Sequence, residues 1–140
     1  MLAAALGCAT SALAQATAPE ADKPDPIDAA YAACIEKDPS TAGMVGCADA
    51  AETAWDKALN EAYAKLLKEL KGTPGEAALR TAQRAWVAQR DAEYRLHSAV
   101  HGLLQGTMWG PVMADQRTSL VKARALQLRA YIDFVADGRP

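Results

Sequence analysis

Asp56 and the two arginines that helical spacing can bring near it, Arg90 and Arg124, are the residues of this chain whose types invite chemistry. A carboxylate beside a guanidinium can act as a catalytic acid or base with an anion-binding arginine. It can equally be a buried pair that fixes the register of two helices. An arginine neighbour holds a carboxylate ionised, which makes Asp56 a poor general acid, so the register lock is the preferred reading. The surrounding residues repeat the theme: Trp55, Asn60 and Tyr63 precede a short turn, and Gln83, Trp86, Arg90 and Asp91 follow it.

On antiparallel helices, residues equally far from the turn lie at similar heights. Folding about Thr73 therefore sets Asp56 opposite Arg90, Asn60 near Trp86 and Tyr63 near Gln83. Arg124, entering from a later helix, is a further candidate donor to the Asp56 region, because its planar fork can bond a carboxylate twice.

The elements that must position these groups are helical. Trp55, Leu59, Tyr63, Leu66 and Leu70 recur at three- and four-residue steps, which predicts one face of a helix running to about Lys71. Gly72-Thr73-Pro74-Gly75 must end it. Leu79, Gln83, Trp86, Arg90 and Tyr94 continue the period to about Val100, and Met113, Leu120, Arg124, Leu128 and Tyr131 form a third set. Ile27 to Glu36 can form a short helix stopped by Asp38-Pro39, after which Ser40 or Thr41 caps the next. No alternating β pattern occurs. The expected fold is all-α, an antiparallel bundle of three long helices preceded by a short one.

At 140 residues, 51% hydrophobic and 23% charged, the chain suits one compact domain, expected over 27–137. A net charge of -2 argues against nucleic acid as a partner. Most Asp and Glu precede Gly72 while Arg dominates after it, so a basic partner would be drawn to the first half. Residues 1–14 are small and apolar and end in Ala12-Leu13-Ala14, which reads as a signal peptide, and the missing positive n-region suggests a truncated one. A lipoprotein site at Cys8 is the weaker alternative, since a good lipobox has Leu where Ala5 stands. The segment is too short for a retained transmembrane anchor. Residues 15–26 are Pro-rich and charged and read as a flexible leader. Removal of the signal leaves Cys34 and Cys47, an even count that reads as a disulfide in an exported chain.

The motifs resemble the LprI-type lysozyme-inhibitor domain family over Cys34 to about Tyr131. The family pattern has two cysteines, then W-D-x-x-L-N-x-x-Y, Q-x-x-W-x-x-x-R-D and R-x-x-x-L-R-x-Y. Here these stand as Cys34, Cys47, Trp55 to Tyr63, Gln83 to Asp91, and Arg124 to Tyr131. Members often carry a second cysteine pair where this chain has Tyr94 and Gln116, which implies a looser junction between the last two long helices. The resemblance further implies export to the bacterial envelope, periplasmic or secreted, and inhibition of lysozyme. Lysozymes are typically basic, so the acidic first half offers a complementary surface and salt-sensitive binding.

Two other places merit attention. Leu103, Leu104, Met108 and Trp109 lie in a Gly-rich loop with the composition of an interface centre, unless they fold back over the open end of the bundle. Glu93, His97 and His101 are spaced by four and offer three metal ligands on one helix face, but no fourth ligand is evident. A solvated helix end explains them as well. With no nucleophile motif, phosphate loop or haem site, the sequence suggests no enzyme and no cofactor. The reading reached is an exported protein that occludes the cleft of a lysozyme or related muramidase without catalysis. The alternative is an envelope binding or assembly module for another protein or a small ligand.

Overall fold

A computed structural model describes residues 23–138. The expected signal segment 1–14, Cys8 and most of the leader lie outside the described residues, which form four helices and no strand. Helix α1 spans Pro26–Lys37. It starts where the Asp25 carboxylate accepts the Ile27 N–H at 2.9 Å and Pro26 occupies the first turn, where its missing N–H is not needed. It stops before Pro39, whose ring disfavours helical geometry in the preceding residue.

Helix α2, Thr41–Glu69, begins at once: the Ser40 hydroxyl accepts from Gly43 N at 3.0 Å and donates to the Asp38 carboxylate at 2.7 Å. The corner is tight enough that a Cβ on Gly43 would run into the side chain and carbonyl of Asp38. It turns α1 back onto α2, and the Cys34–Cys47 disulfide closes the pair with 5.7 Å between Cα atoms. Gly72 then takes the left-handed φ of 75° that glycine tolerates best. Helix α3, Pro74–His101, follows, with the Thr73 hydroxyl accepting from Gly75 N and Glu76 reaching back to Gly72 N. Helix α4 covers Trp109–Asp137.

The core lies mainly between α2 and α4, the most intimate helix pair. Trp55, Leu59 and Leu66 of α2 meet Val121, Leu128 and Ile132 of α4, and Ala58, Ala62 and Ala125 let the backbones approach. Truncating one of these, Leu128→Ala for example, costs about 2–5 kcal/mol. Helix α3 stands farther off and buries only Leu79. Its inward positions after Leu79 are Gln83, Trp86, Arg90 and Tyr94, long side chains that need partners and hold its axis away. Thus the expected α2–α3 hairpin exists, but its two helices are not the closest neighbours.

Helix α1 is also bonded to α4. Asp25 accepts from Arg129 at 2.7 Å, Asp28 from Lys122 at 2.6 Å, and Tyr31 donates to Asp115 at 3.2 Å. Lys122 and Arg129 sit 5.5 and 5.3 Å from the Trp55 ring centroid. Trp55 is fully buried, so the motif tryptophan is the point on which α1, α2 and α4 converge.

Candidate functional site

The polar stripe is placed on facing helices as expected, but its bonds differ. Arg90 pairs with its own neighbour Asp91, through Nε at 3.0 Å and a terminal nitrogen at 2.8 Å. Its guanidinium lies 5.4 Å from the Trp86 ring centroid and 5.8 Å from that of Tyr94. The bond to Asp91 raises the Arg90 pKa most, and the charge of Asp56 adds a smaller contribution in the same direction. Asp56 is therefore at the expected height without taking the ion pair. Its carboxylate accepts instead from Asn60 Nδ2 at 3.1 Å. The stand-off of α3 is the reason: Arg90 reaches Asp91 without crossing the gap to α2.

Arg124 corrects the expectation further. Its Nε donates to Gln83 Oε1 at 3.1 Å and one terminal nitrogen donates to Gln127 Oε1 at 2.6 Å, so it is not a donor to Asp56. Gln83 lies at the height of Tyr63, seven residues or about 10 Å of helix from Asp56. Tyr63 packs half-buried against the core, as does Trp86, while Asn60 is exposed. Of the stripe's side-chain bonds only Arg124–Gln83 crosses between helices, and the described residues bring no acid and base together here.

One network at this level was not anticipated. Glu52 of α2 accepts from the Tyr94 hydroxyl of α3 at 2.7 Å and from Arg117 Nε of α4 at 3.2 Å, and Arg117 also reaches Asp49 at 2.7 Å. Glu52 and Tyr94 are each twenty-one residues from Thr73. The same equal-distance rule that set Asp56 opposite Arg90 would have found this pair. Tyr94 and Arg117 stand at or beside the two positions where the family resemblance expects a second disulfide, and here a carboxylate bridges the helices.

The pairing has an electrostatic consequence. Asp25, Asp28, Asp49 and Glu52 of the acidic first half all face cations of α4. Four of the acids expected to form a negative surface there are neutralised internally.

The loop between α3 and α4 does not fold back as a lid. Leu103 is 84% exposed and Trp109 39%, Met108 is exposed, and only Leu104 is half-buried. Leu96, Val100 and Val112 extend the apolar surface along both helices. Glu93, His97 and His101 do not converge: among the described residues no group of three or more His, Cys, Asp or Glu could hold a metal ion.

A family model described as lysozyme inhibitor LprI matches residues 33–128, well over half of the chain. The chain belongs to the LprI family. The matched span runs from the disulfide through the Trp55 and Arg90 motifs and ends inside the Arg124 motif, at Leu128. The structure is also similar to the crystal structure of an uncharacterised protein from Burkholderia thailandensis, with a TM-score of 0.75 and 36% identity. That likeness covers 81% of this chain and 56% of the other, so the chain spans little more than half the length of that protein. Comparison with curated proteins gives no match.

Proposed function

We propose that this LprI-family protein is exported to the periplasm or beyond, where it binds a lysozyme or related muramidase and blocks its cleft without chemistry. In this reading residues 1–14 are the signal, 15–26 a leader, and 27–137 the inhibitory domain. Membership of a lysozyme-inhibitor family is the observation that carries the reading. No helix among the described residues is long and apolar enough to cross a membrane. The contact surface is the α3–α4 tip, where Leu103, Met108 and Trp109 present exposed apolar side chains and Leu104 is half-buried. Aromatic and aliphatic anchors of this kind dominate binding energy when a partner removes them from water.

A cell-wall lysis assay with the purified protein tests the reading. Stoichiometric slowing of a lysozyme that is lost in Leu103→Asp and Trp109→Ala supports both target and surface. No slowing at micromolar excess sinks it and favours a binding or assembly module with another ligand.

A further inference from the structure

Arg124 is 8% exposed, and one of its terminal nitrogens has no hydrogen-bond partner. Its two bonded neighbours, Gln83 and Gln127, are neutral amides. Burial works against its charge and lowers its pKa, and among the described residues no carboxylate forms an ion pair with it. Arg80, Arg90, Arg117 and Arg129, all more exposed than Arg124, each pair with a carboxylate. A buried guanidinium without a counter-ion is a costly arrangement that a negatively charged group would relieve.

Arg124 lines a groove of about 450 Å³ between the end of α2, the start of α3 and the end of α4. The remaining walls are apolar apart from the Tyr131 hydroxyl: Leu66 and Leu70 on one side, Ala78, Leu79 and Ala82 on the second, Phe134 and Val135 beside Tyr131 on the third. Phe134, 66% exposed, marks the open end. From Arg124 to Val135 the groove follows α4 for eleven residues, about 16 Å. A helix of that length and about 10 Å diameter occupies more than about 1,000 Å³, over twice the free volume. The volume instead matches a small-molecule site, apolar with few placed polar groups.

We infer that this groove binds a straight-chain fatty carboxylate, its tail along the α3–α4 wall and its carboxylate on Arg124. Gln127 is exposed and is the side chain the headgroup displaces from the guanidinium. Ala78 and Ala82, both small, leave the channel open where α3 stands off. The site lies toward the opposite end of α3 from the tip assigned to the muramidase, with Ala82 about 28 Å of helix from His101, so either assignment can fail without the other.

Titration calorimetry of the full chain with dodecanoate, held below its micellar concentration, tests the inference against dodecanol as the uncharged probe of equal tail. One dodecanoate should bind at least about tenfold more tightly than dodecanol, the discrimination expected of a charge-assisted bond. Arg124→Gln should bring the two within about twofold. Should Arg124→Gln fail to fold, Ala82→Trp at an exposed helix position blocks the channel and should abolish binding of both. Equal affinity for the two probes, unchanged binding in Ala82→Trp, or no heat at millimolar dodecanoate overturns the inference. So does binding of an apolar peptide through its C-terminal carboxylate in the absence of any dodecanoate binding, which would reassign the groove to a protein partner.

Discussion

The Tyr94 hydroxyl of α3 donates to Glu52 of α2 at 2.7 Å, and the other oxygen of the same carboxylate accepts from Arg117 of α4. A single acid therefore ties all three long helices at the level where α3 buries little apolar surface of its own. Burial, and then the bond and charge of Glu52, raise the Tyr94 pKa far above its ordinary value, so the hydroxyl remains a donor at neutral pH. Tyr94→Phe keeps the ring and removes the donor, and should lower stability by about 1–2 kcal/mol in urea unfolding. In a double-mutant cycle with Glu52→Gln the two changes should couple by about 1 kcal/mol. Strict additivity would contradict the bond.

Asp25 makes a prediction with a definite pH sign. Burial disfavours its charge, but the Ile27 N–H and Arg129 together outweigh that and hold the carboxyl below its ordinary value of 3.8. The folded-state pKa is depressed, so the contribution to stability is present above the unfolded value and lost as pH falls through the folded one. Asp25→Asn keeps a cap-competent oxygen and removes the charge. Its deficit relative to the native chain should be constant near neutrality and shrink below about pH 4. Asp25→Ala loses the cap as well and should cost about 1 kcal/mol more. A deficit for Asp25→Asn that grows in acid would refute the assignment.

The Cys34–Cys47 bond closes a short loop over the corner between α1 and α2. Replacing both cysteines by serine should cost about 2–4 kcal/mol, chiefly by releasing the unfolded chain. Helix α1 buries no residue of its own, so its attachment then rests on Ile27, which packs half-buried against the core, and on the Asp25, Asp28 and Tyr31 bonds to α4. Hydrogen exchange should accelerate over residues 27–37 before it does over 55–66. Uniform acceleration along the chain would show that α1 and the core open as one unit.

Local chemistry made the helices legible and left their partners partly hidden. The caps at Ser40 and Thr73 and the breaks at Pro39 and Gly72 are properties of a few adjacent residues, so the helix bounds expected from the sequence fall within two residues of those observed. Spacing also gave the inward faces of α2 and α3 and the height of each polar group, but it set the face of α4 about one residue off: Ala114, Val121 and Ile132 are buried, whereas Met113 and Leu120 are half-buried and Tyr131 is exposed. What spacing does not give is how near two axes come. The alanines at 51, 58, 62, 114 and 125, unremarked as a set, are what let α2 and α4 close on each other. With α3 held outside them, Arg90 found Asp91 before Asp56, and Arg124 was left among glutamines. The exposure of Leu103 and Trp109 was likewise not decidable from composition, because a Gly-rich apolar loop can cap a bundle end or project from it.

Internal pairing of the acidic residues changes what binding of a muramidase should look like. A complementary acidic surface would make association steeply salt-dependent. Asp25, Asp28, Asp49 and Glu52 are instead engaged by Arg129, Lys122 and Arg117, while the tip offers apolar side chains. Burial of apolar surface is not screened by salt. If the tip is the contact, raising salt from about 0.05 to about 0.5 M should weaken inhibition by less than about threefold, since screening acts on exposed charges alone. Trp109→Ala should weaken it by about thirtyfold or more, the loss expected of an anchor worth 2 kcal/mol or more. Measured by surface-immobilised binding, the reverse pattern, a steep salt slope with Trp109→Ala nearly silent, would move the contact to the acids that remain unpaired and away from the α3–α4 tip.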